Sequence, residues 1–178
     1  MNNFRNTVVQ IDNTHPIFMT NFSGNPERDH FGSNIRRVNL VIPNEQQAQD
    51  LIAMGVNVRQ TRPNPNKVYD GEFVPTFFVP VTINLESKWP PKIYWVTPNG
   101  QCNECSPEMV GQLDYIRIRN VNCQANMVEK RNKPGEYTLY ARIMYVEQDV
   151  DLDPYYTRYH QSTNVAQASQ PDNADLPF

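Results

Sequence analysis

The sequence has few of the features that mark secreted or membrane-spanning proteins. It has no apolar run near the roughly 20 residues that a helix needs to cross a bilayer, and residues 1–5 lack the apolar stretch of a secretory signal. Its three cysteines are an odd number and do not make a disulfide framework in a chain of 178 residues. We therefore expect a soluble, cytoplasmic protein with no membrane partner.

Motifs of catalysis and of metal binding are also scarce. The sequence has no G-x-x-x-x-G-K-[ST] phosphate loop, no G-x-S-x-G nucleophile elbow and no H-E-x-x-H zinc helix, and its carboxylates are scattered. Cys102 and Cys105 have the C-x-x-C spacing of half a zinc site or of a redox pair, but no second pair accompanies them. We expect no enzymatic activity, no cofactor and no metal, with free thiols favoured over zinc at this pair.

Glycine is scarce as well, with 7 residues against 15 prolines, which favours strand ends and turns over long helices. Helical patterns are short: one begins at Glu45, with Ala48, Leu51 and Ile52 on a shared face, and one covers residues 106–113. Runs rich in β-branched and aromatic residues predict strands within residues 7–11, 16–22, 35–42, 56–60, 74–85, 92–97, 115–125 and 137–147. Because strands and helices do not alternate as β-α-β units, the sequence predicts a mainly β fold, a curled antiparallel barrel with one or two short helices.

Charge is distributed unevenly along the chain. Residues 1–146 carry 15 basic and 13 acidic residues, a balance of +2, whereas residues 147–178 carry one arginine and six acids, a balance of −5. Residues 161–171 are polar and small, so they cannot bury enough apolar surface to offset the entropy of ordering. We predict a folded domain of residues 1–160 and a disordered linker with an acidic tip in residues 161–178.

The C-terminal tip combines the groups of a compact protein ligand. The ring of Phe178 can fill an apolar pocket, its α-carboxylate can meet an arginine or lysine, and the nearby acids can face a basic rim. The predicted partner-binding site comprises Asp172, Asp175, Leu176, Pro177 and Phe178.

Aromatic and basic residues interleave on the predicted strands. Strand alternation places Tyr115, Arg117 and Arg119 on one face, and rings that stack on bases beside cations that neutralise phosphates give affinity for single-stranded nucleic acid without sequence preference. Each ring could instead pack in the core, and each arginine could be an ordinary solvated side chain. The predicted nucleic-acid site adds Phe22, Phe31, Arg36, Arg37, Arg62 on an exposed loop, Lys92, Tyr94, Trp95, Tyr140 and Arg142. Because neighbours on a strand face opposite ways, only one of Tyr94 and Trp95 should stack.

Several stretches of the sequence resemble those of one protein family. These stretches are Asn21-Phe22-Ser23-Gly24 followed by Phe31, Arg36 through Pro43, residues 45–51, Val56-Asn57-Val58-Arg59, Val79-Pro80-Val81, Ile93-Tyr94-Trp95-Val96 and Met109 through Leu113. Together they resemble a family of bacteriophage single-stranded-DNA-binding proteins with an OB-fold core. The acidic tip resembles that of bacterial single-stranded-DNA-binding proteins, which docks replication and repair enzymes. The resemblance implies an OB-fold protein that coats single-stranded DNA during phage replication or recombination in the host cytoplasm, with its tip recruiting such enzymes.

Two other functions stay open at the level of sequence. A single-strand annealing protein or recombination mediator would share the basic and aromatic surface but would need oligomeric rings. A virion or adaptor protein would use the β domain to bind other proteins only. The sequence does not fix the oligomeric state, so a homo-oligomer remains one of the alternatives.

Overall fold

The computed structural model describes residues 7–150, and the predicted linker, the partner-binding tip and the domain boundary at residue 160 lie outside that range. The strands of the described range are β1 (Val8–Thr14), β2 (Pro16–Asn21), β3 (Arg37–Val41), β4 (Arg59–Gln60), β5 (Phe77–Thr82), β6 (Lys92–Val96), β7 (Cys102–Glu104), β8 (Ile118–Lys130) and β9 (Lys133–Gln148). Its helices are α1 (Glu45–Ala53), α2 (Pro107–Val110) and the 3₁₀ helices Pro26–Arg28 and Gly111–Tyr115. No helix in these residues is long and apolar enough to cross a membrane.

The strands form one curled sheet in the order β1-β8-β9-β5-β3-β2. Only His15 separates β1 from β2, so the two ends of this path meet and the sheet curls into a barrel. The mainly β, OB-like fold class is confirmed, with two short α-helices. The barrel is not wholly antiparallel, because β9 pairs in parallel with β5 and, further along, with β6.

Alternation along the strands creates the core. In β3 and β5, Val38 and Val81 face inward and are fully buried, as expected for β-branched residues at every second position. Helix α1 covers the barrel with Ala48 and Leu51, both buried. Ile52, predicted on the same face as these two residues, is 44% exposed, so the buried stripe of this short helix is narrower than the sequence pattern indicated.

Gly55, after helix α1, sits where no side chain fits. Its φ is +91°, and a Cβ atom there would lie 2.1 Å from the carbonyl oxygen of Gly135. The close approach lets Tyr137 donate its backbone N–H to the Gly55 carbonyl at 2.9 Å and accept from Asn57 at 3.2 Å. These bonds tie the chain leading into β4 against β9.

Strands β4 and β8 differ in extent from the prediction, and β7 was not predicted. Strand β8 begins at Ile118 rather than residue 115, because the 3₁₀ helix Gly111–Tyr115 continues the turn that α2 starts. The strand predicted over residues 56–60 shrinks to β4, with only an isolated bridge at Val56. Strand β7 was not predicted, and it forms because a turn at Gly100 returns the chain onto β6.

Candidate nucleic-acid interface

A groove lined by rings and cations crosses the outer face of the barrel. Its floor is formed by the outward residues of paired strands, with Arg37 beside Thr82 and Asn39 beside Pro80 on β3 and β5. Strand β4 extends it, since Arg59 pairs with Phe78. We call this surface the front groove; its aromatic and basic lining residues are Phe18, Arg28, His30, Phe31, Arg37, Arg59, Arg62, Phe78 and Lys130.

Phe18 reaches the groove through a strained segment of β2. The pairing of β2 with β3 shifts register between Ile17 and Asn21, and Phe18 within this bulge has a φ of +63°. A positive φ is an outlier for a bulky residue, and bulges often re-aim a side chain. The ring is 62% exposed and meets Phe78 edge-on, with ring centroids 5.2 Å apart. The two rings form an aromatic corner in which the Phe18 ring is open to solvent and the Phe78 ring behind it is buried, at 8% exposed.

The cations of the groove are only partly neutralised. Arg37 lies 3.8 Å from Asp29, whose pKa is lowered by hydrogen bonds from the side chain and backbone of Ser33. Neither Arg59 nor Arg62 forms an ion pair with any carboxylate in the described part of the chain. Among the described residues, Asp29 is the one carboxylate that lines the groove. The surface is therefore positive, with two arginines available to an anion.

The β8–β9 turn adds basic charge at one end of the groove. Three of the four residues from Lys130 to Lys133 are basic, and Lys130 itself lines the groove. Lys130 forms an ion pair with Glu136 at 3.4 Å, while Arg131 and Lys133 are exposed. Exposed lysines and arginines beside a sheet face provide contacts for phosphates without reading bases.

A buried carboxylate holds the β2–β3 loop, residues 22–36, at the groove edge. The side chain of Asp114 is fully buried and accepts hydrogen bonds from the backbone N–H groups of Phe22 at 2.7 Å and Ser23 at 3.0 Å. It also accepts from the Thr20 hydroxyl, and it pairs with the Arg28 Nε atom at 3.3 Å. This network positions a loop whose Phe31 ring is 82% exposed.

Phe22 and Arg36 in this loop were predicted to bind nucleic acid, but both make contacts within the protein. Phe22 is fully buried in the core, so its ring is not available for a base to stack on. Arg36 donates a hydrogen bond from Nη1 to the Phe22 carbonyl and is half-buried, which gives it a structural contact. Of the residues predicted in this region, Phe31 and Arg37 do line the groove, and so does Arg62 on the next loop.

The predicted row Tyr115, Arg117 and Arg119 does not exist as one strand face. Tyr115 ends a 3₁₀ helix, Arg117 precedes β8, and only Arg119 belongs to the strand. Tyr115 is exposed, with the Arg28 guanidinium carbon 5.7 Å from its ring centroid, and Arg119 pairs with Glu147 at 3.2 Å. The three side chains have separate environments.

The residues predicted on β6 and β9 occupy a second outer surface. Tyr94 stacks on Tyr145 with ring centroids 4.5 Å apart, and Trp95 packs against the core while its Nε1 donates to Gln148. Tyr94 is thus the outward ring of the two. Lys92 and Arg142 are exposed nearby on β6 and β9.

Tyr140, also predicted in the nucleic-acid site, lies on a different part of β9 from Arg142 and Tyr145. It pairs with Thr82, which pairs in turn with Arg37, so these residues form one row across β9, β5 and β3. The row links Tyr140 to the floor of the front groove.

Several residues that line the groove were not predicted as site residues, among them Phe18, Arg28, Arg59, Phe78 and Lys130. The alternation of inward and outward residues gives no signal for Phe18, because the bulge in β2 breaks that alternation. Phe78 has the position of a core residue, and most of its side chain is covered. Arg59 could have been found because it is a cation near the end of a predicted strand, and Lys130 because it is a cation beside a basic turn.

The cysteine pair lies away from the groove. Cys102 begins β7 and Cys105 follows its last residue, so strand geometry separates their Cα atoms by about 10 Å, beyond the reach of a disulfide. Burial raises the pKa of the Cys105 thiol. Within residues 7–150, no group of three or more His, Cys, Asp or Glu residues could hold a metal ion.

Comparisons with known proteins identify similar structures but no family model. No family model matches the chain, and no curated protein matches it. The chain is similar to a C-terminal truncation of the single-stranded DNA-binding protein from bacteriophage Enc34, at 10% identity and a TM-score of 0.44, over 81% of this chain and 87% of that one. It is also similar to gp2.5, a single-stranded DNA-binding protein encoded by bacteriophage T7, at 14% identity and a TM-score of 0.35, over 83% of this chain and 96% of that one. Both structures are of phage single-stranded DNA-binding proteins.

Proposed function

We propose that this protein binds single-stranded DNA, without strong sequence preference, in the front groove. The observation that carries the proposal is the aromatic corner, with its exposed Phe18 ring, beside Arg59 and Arg62 in the front groove. Flat rings beside unpaired cations suit a ligand that alternates bases with phosphates.

The mechanism is stoichiometric binding rather than catalysis. Bases stack on Phe18 and on the exposed Phe31 ring, and each stacked base contributes roughly 1–3 kcal/mol. Arg37, Arg59 and Arg62 contact phosphates and release counterions, so affinity falls as salt rises. Since every base has a π-face and every nucleotide a phosphate, this combination does not select a sequence.

Single strands are favoured over duplex because the rings need unstacked bases. In a duplex the base faces are covered by their neighbours, and only the phosphates would meet the groove. The same arrangement on the strand face of OB folds, flanked by loops, is a general way to bind oligonucleotides.

The wider role that we propose rests on the resemblance of the sequence to phage single-stranded-DNA-binding proteins. The proposed domain of residues 1–160 coats exposed strands during phage replication or recombination in the host cytoplasm. The proposed tip, from Asp172 to Phe178, recruits a replication or recombination enzyme, because a terminal ring and carboxylate make a compact pocket ligand.

A fluorescence titration with oligo-dT and with duplex of equal length, at two salt concentrations, tests the function. Oligo-dT should bind far more tightly, and the double variant Arg59→Ala, Arg62→Ala should weaken binding. Lys88→Ala is the control, because Lys88 lies between β5 and β6 and does not line the groove. Equal binding to duplex and single strand, or no binding at low salt, would contradict the proposal.

A further inference from the structure

A second group of rings lies on the β4–β5 loop, residues 61–76, whose first two residues line the front groove. The loop leaves the sheet next to Arg62, which lines the groove. Its two ends are fastened together, since Thr61 donates its backbone N–H to the Thr76 carbonyl and the Thr76 N–H donates to the Thr61 hydroxyl, both at 2.9 Å. Both ends of the loop are therefore held together next to the groove.

The loop carries a preassembled pair of rings. Tyr69 and Phe73 meet edge-on with centroids 5.0 Å apart, and the Lys67 Nζ atom lies 5.6 Å from the Tyr69 ring centroid. The Tyr69 hydroxyl accepts the backbone N–H of Asn64 at 2.9 Å, which fixes the ring relative to the start of the loop. Both rings are half-exposed.

Two exposed valines adjoin the pair in sequence, Val68 before Tyr69 and Val74 after Phe73. Val68 is 97% exposed, and Val74 on the other arm of the loop is also exposed. A single exposed apolar residue is ordinary, but two valines beside two half-exposed rings form a patch that is typical of binding surfaces. Because Thr61 and Arg62 at the start of this loop line the groove, the occupant that fits the patch is the strand that the groove binds.

We propose that Tyr69 and Phe73 form a second base-stacking subsite, which takes the bases of the same single strand after it leaves the front groove past Arg62. The proposal rests on the proposed function and extends it. A strand that fills only the groove does not reach these rings, whereas a longer strand does.

The charge of the loop determines how this subsite should behave. Arg62 and Lys67 are balanced by Asp70 and Glu72, so the loop adds ring contacts rather than net positive charge. Loss of the rings should therefore weaken binding without changing its salt dependence, which depends on the number of neutralised phosphates.

The experiment is a titration of the full chain with oligo-dT of two lengths, about 5 and about 16 nucleotides, which span the site sizes of OB folds. The double variant Tyr69→Ala, Phe73→Ala should bind the short oligonucleotide as the wild type does and the long one at least about fivefold more weakly, with an unchanged salt slope. Tyr69→Phe, which keeps the ring, should bind the long one like the wild type. Trp89→Ala is the matched control, because Trp89 is 84% exposed with Lys88 beside its ring but lies on another loop.

The outcomes separate this proposal from the function on which it rests. Equal binding of both lengths by the double variant and the wild type overturns the subsite while the groove stands. Equal weakening at both lengths also overturns it, because the rings would then act on the groove itself. If the wild type binds neither oligonucleotide, the proposed function fails and the subsite fails with it.

Discussion

Replacing Phe18 by alanine and by glycine separates the role of its ring from the cost of its backbone. Phe18 has a φ of +63° and an exposed ring that lines the front groove. Alanine removes the ring and keeps the strain, whereas glycine removes both. The two variants should therefore bind DNA alike and differ in stability.

The structure sets the size of each effect. One lost stacking ring costs roughly 1–3 kcal/mol, so both variants should bind oligo-dT about 5-fold to 150-fold more weakly than the wild type. A left-handed backbone costs an L-residue roughly 1–2 kcal/mol, and glycine avoids that cost, so Phe18→Gly should be about 1 kcal/mol more stable than Phe18→Ala. Both lose the edge contact with Phe78, which cancels in this comparison.

Two assays on the same protein samples test this reasoning. Titration with oligo-dT gives the binding loss, and urea denaturation gives the free energy of unfolding, with Trp89→Ala as an exposed aromatic control away from the groove. If Phe18→Ala binds like the wild type, the aromatic corner does not stack on bases. If Phe18→Gly is the less stable of the two variants, the positive φ does not store strain.

Three further predictions follow from the groove, the loop anchor and the core. The double variant Arg59→Ala, Arg62→Ala should reduce the slope of log affinity against log salt by about 1.4, since each phosphate contact with a single strand contributes about 0.7; an unchanged slope would mean that these arginines do not contact phosphates. Asp114→Asn should lower the free energy of unfolding by about 1–3 kcal/mol, because an amide group would face backbone donors, and an unchanged urea midpoint would refute the network. Leu51→Ala should cost about 2–5 kcal/mol in urea unfolding and Ile52→Ala only about 0.5 kcal/mol, and the reverse order would contradict the packing of α1.

The strands and the first helix could be predicted because they depend on local patterns. In β3 the buried apolar residues Val38 and Leu40 alternate with Arg37 and Asn39. Asn44 caps α1 by accepting from the Gln47 N–H, a signal that lies within a few residues of sequence. The strand over Tyr115 and Arg117 failed because its alternation resembles that of a strand while the preceding 3₁₀ helix continues through Tyr115.

The site was harder to predict because long-range contacts assemble it. Asp114 organises Phe22 and Ser23 across more than 90 positions of sequence, and no local pattern encodes that pairing. Phe18 enters the groove through a bulge that breaks alternation, so the ring has no periodic signature. The sequence did indicate the chemistry of the surface, rings interleaved with cations, but not which face of the barrel carries it.

Mapping photo-cross-links would show directly whether single-stranded DNA lies in the front groove. Oligo-dT containing bromodeoxyuridine would be bound, irradiated and digested, and the attached peptides identified by mass spectrometry. We expect cross-links at Phe18 and Phe31, the exposed rings that line the groove. Cross-links at Tyr94 and Tyr145 on the second outer surface, with none in the groove, would contradict this proposal.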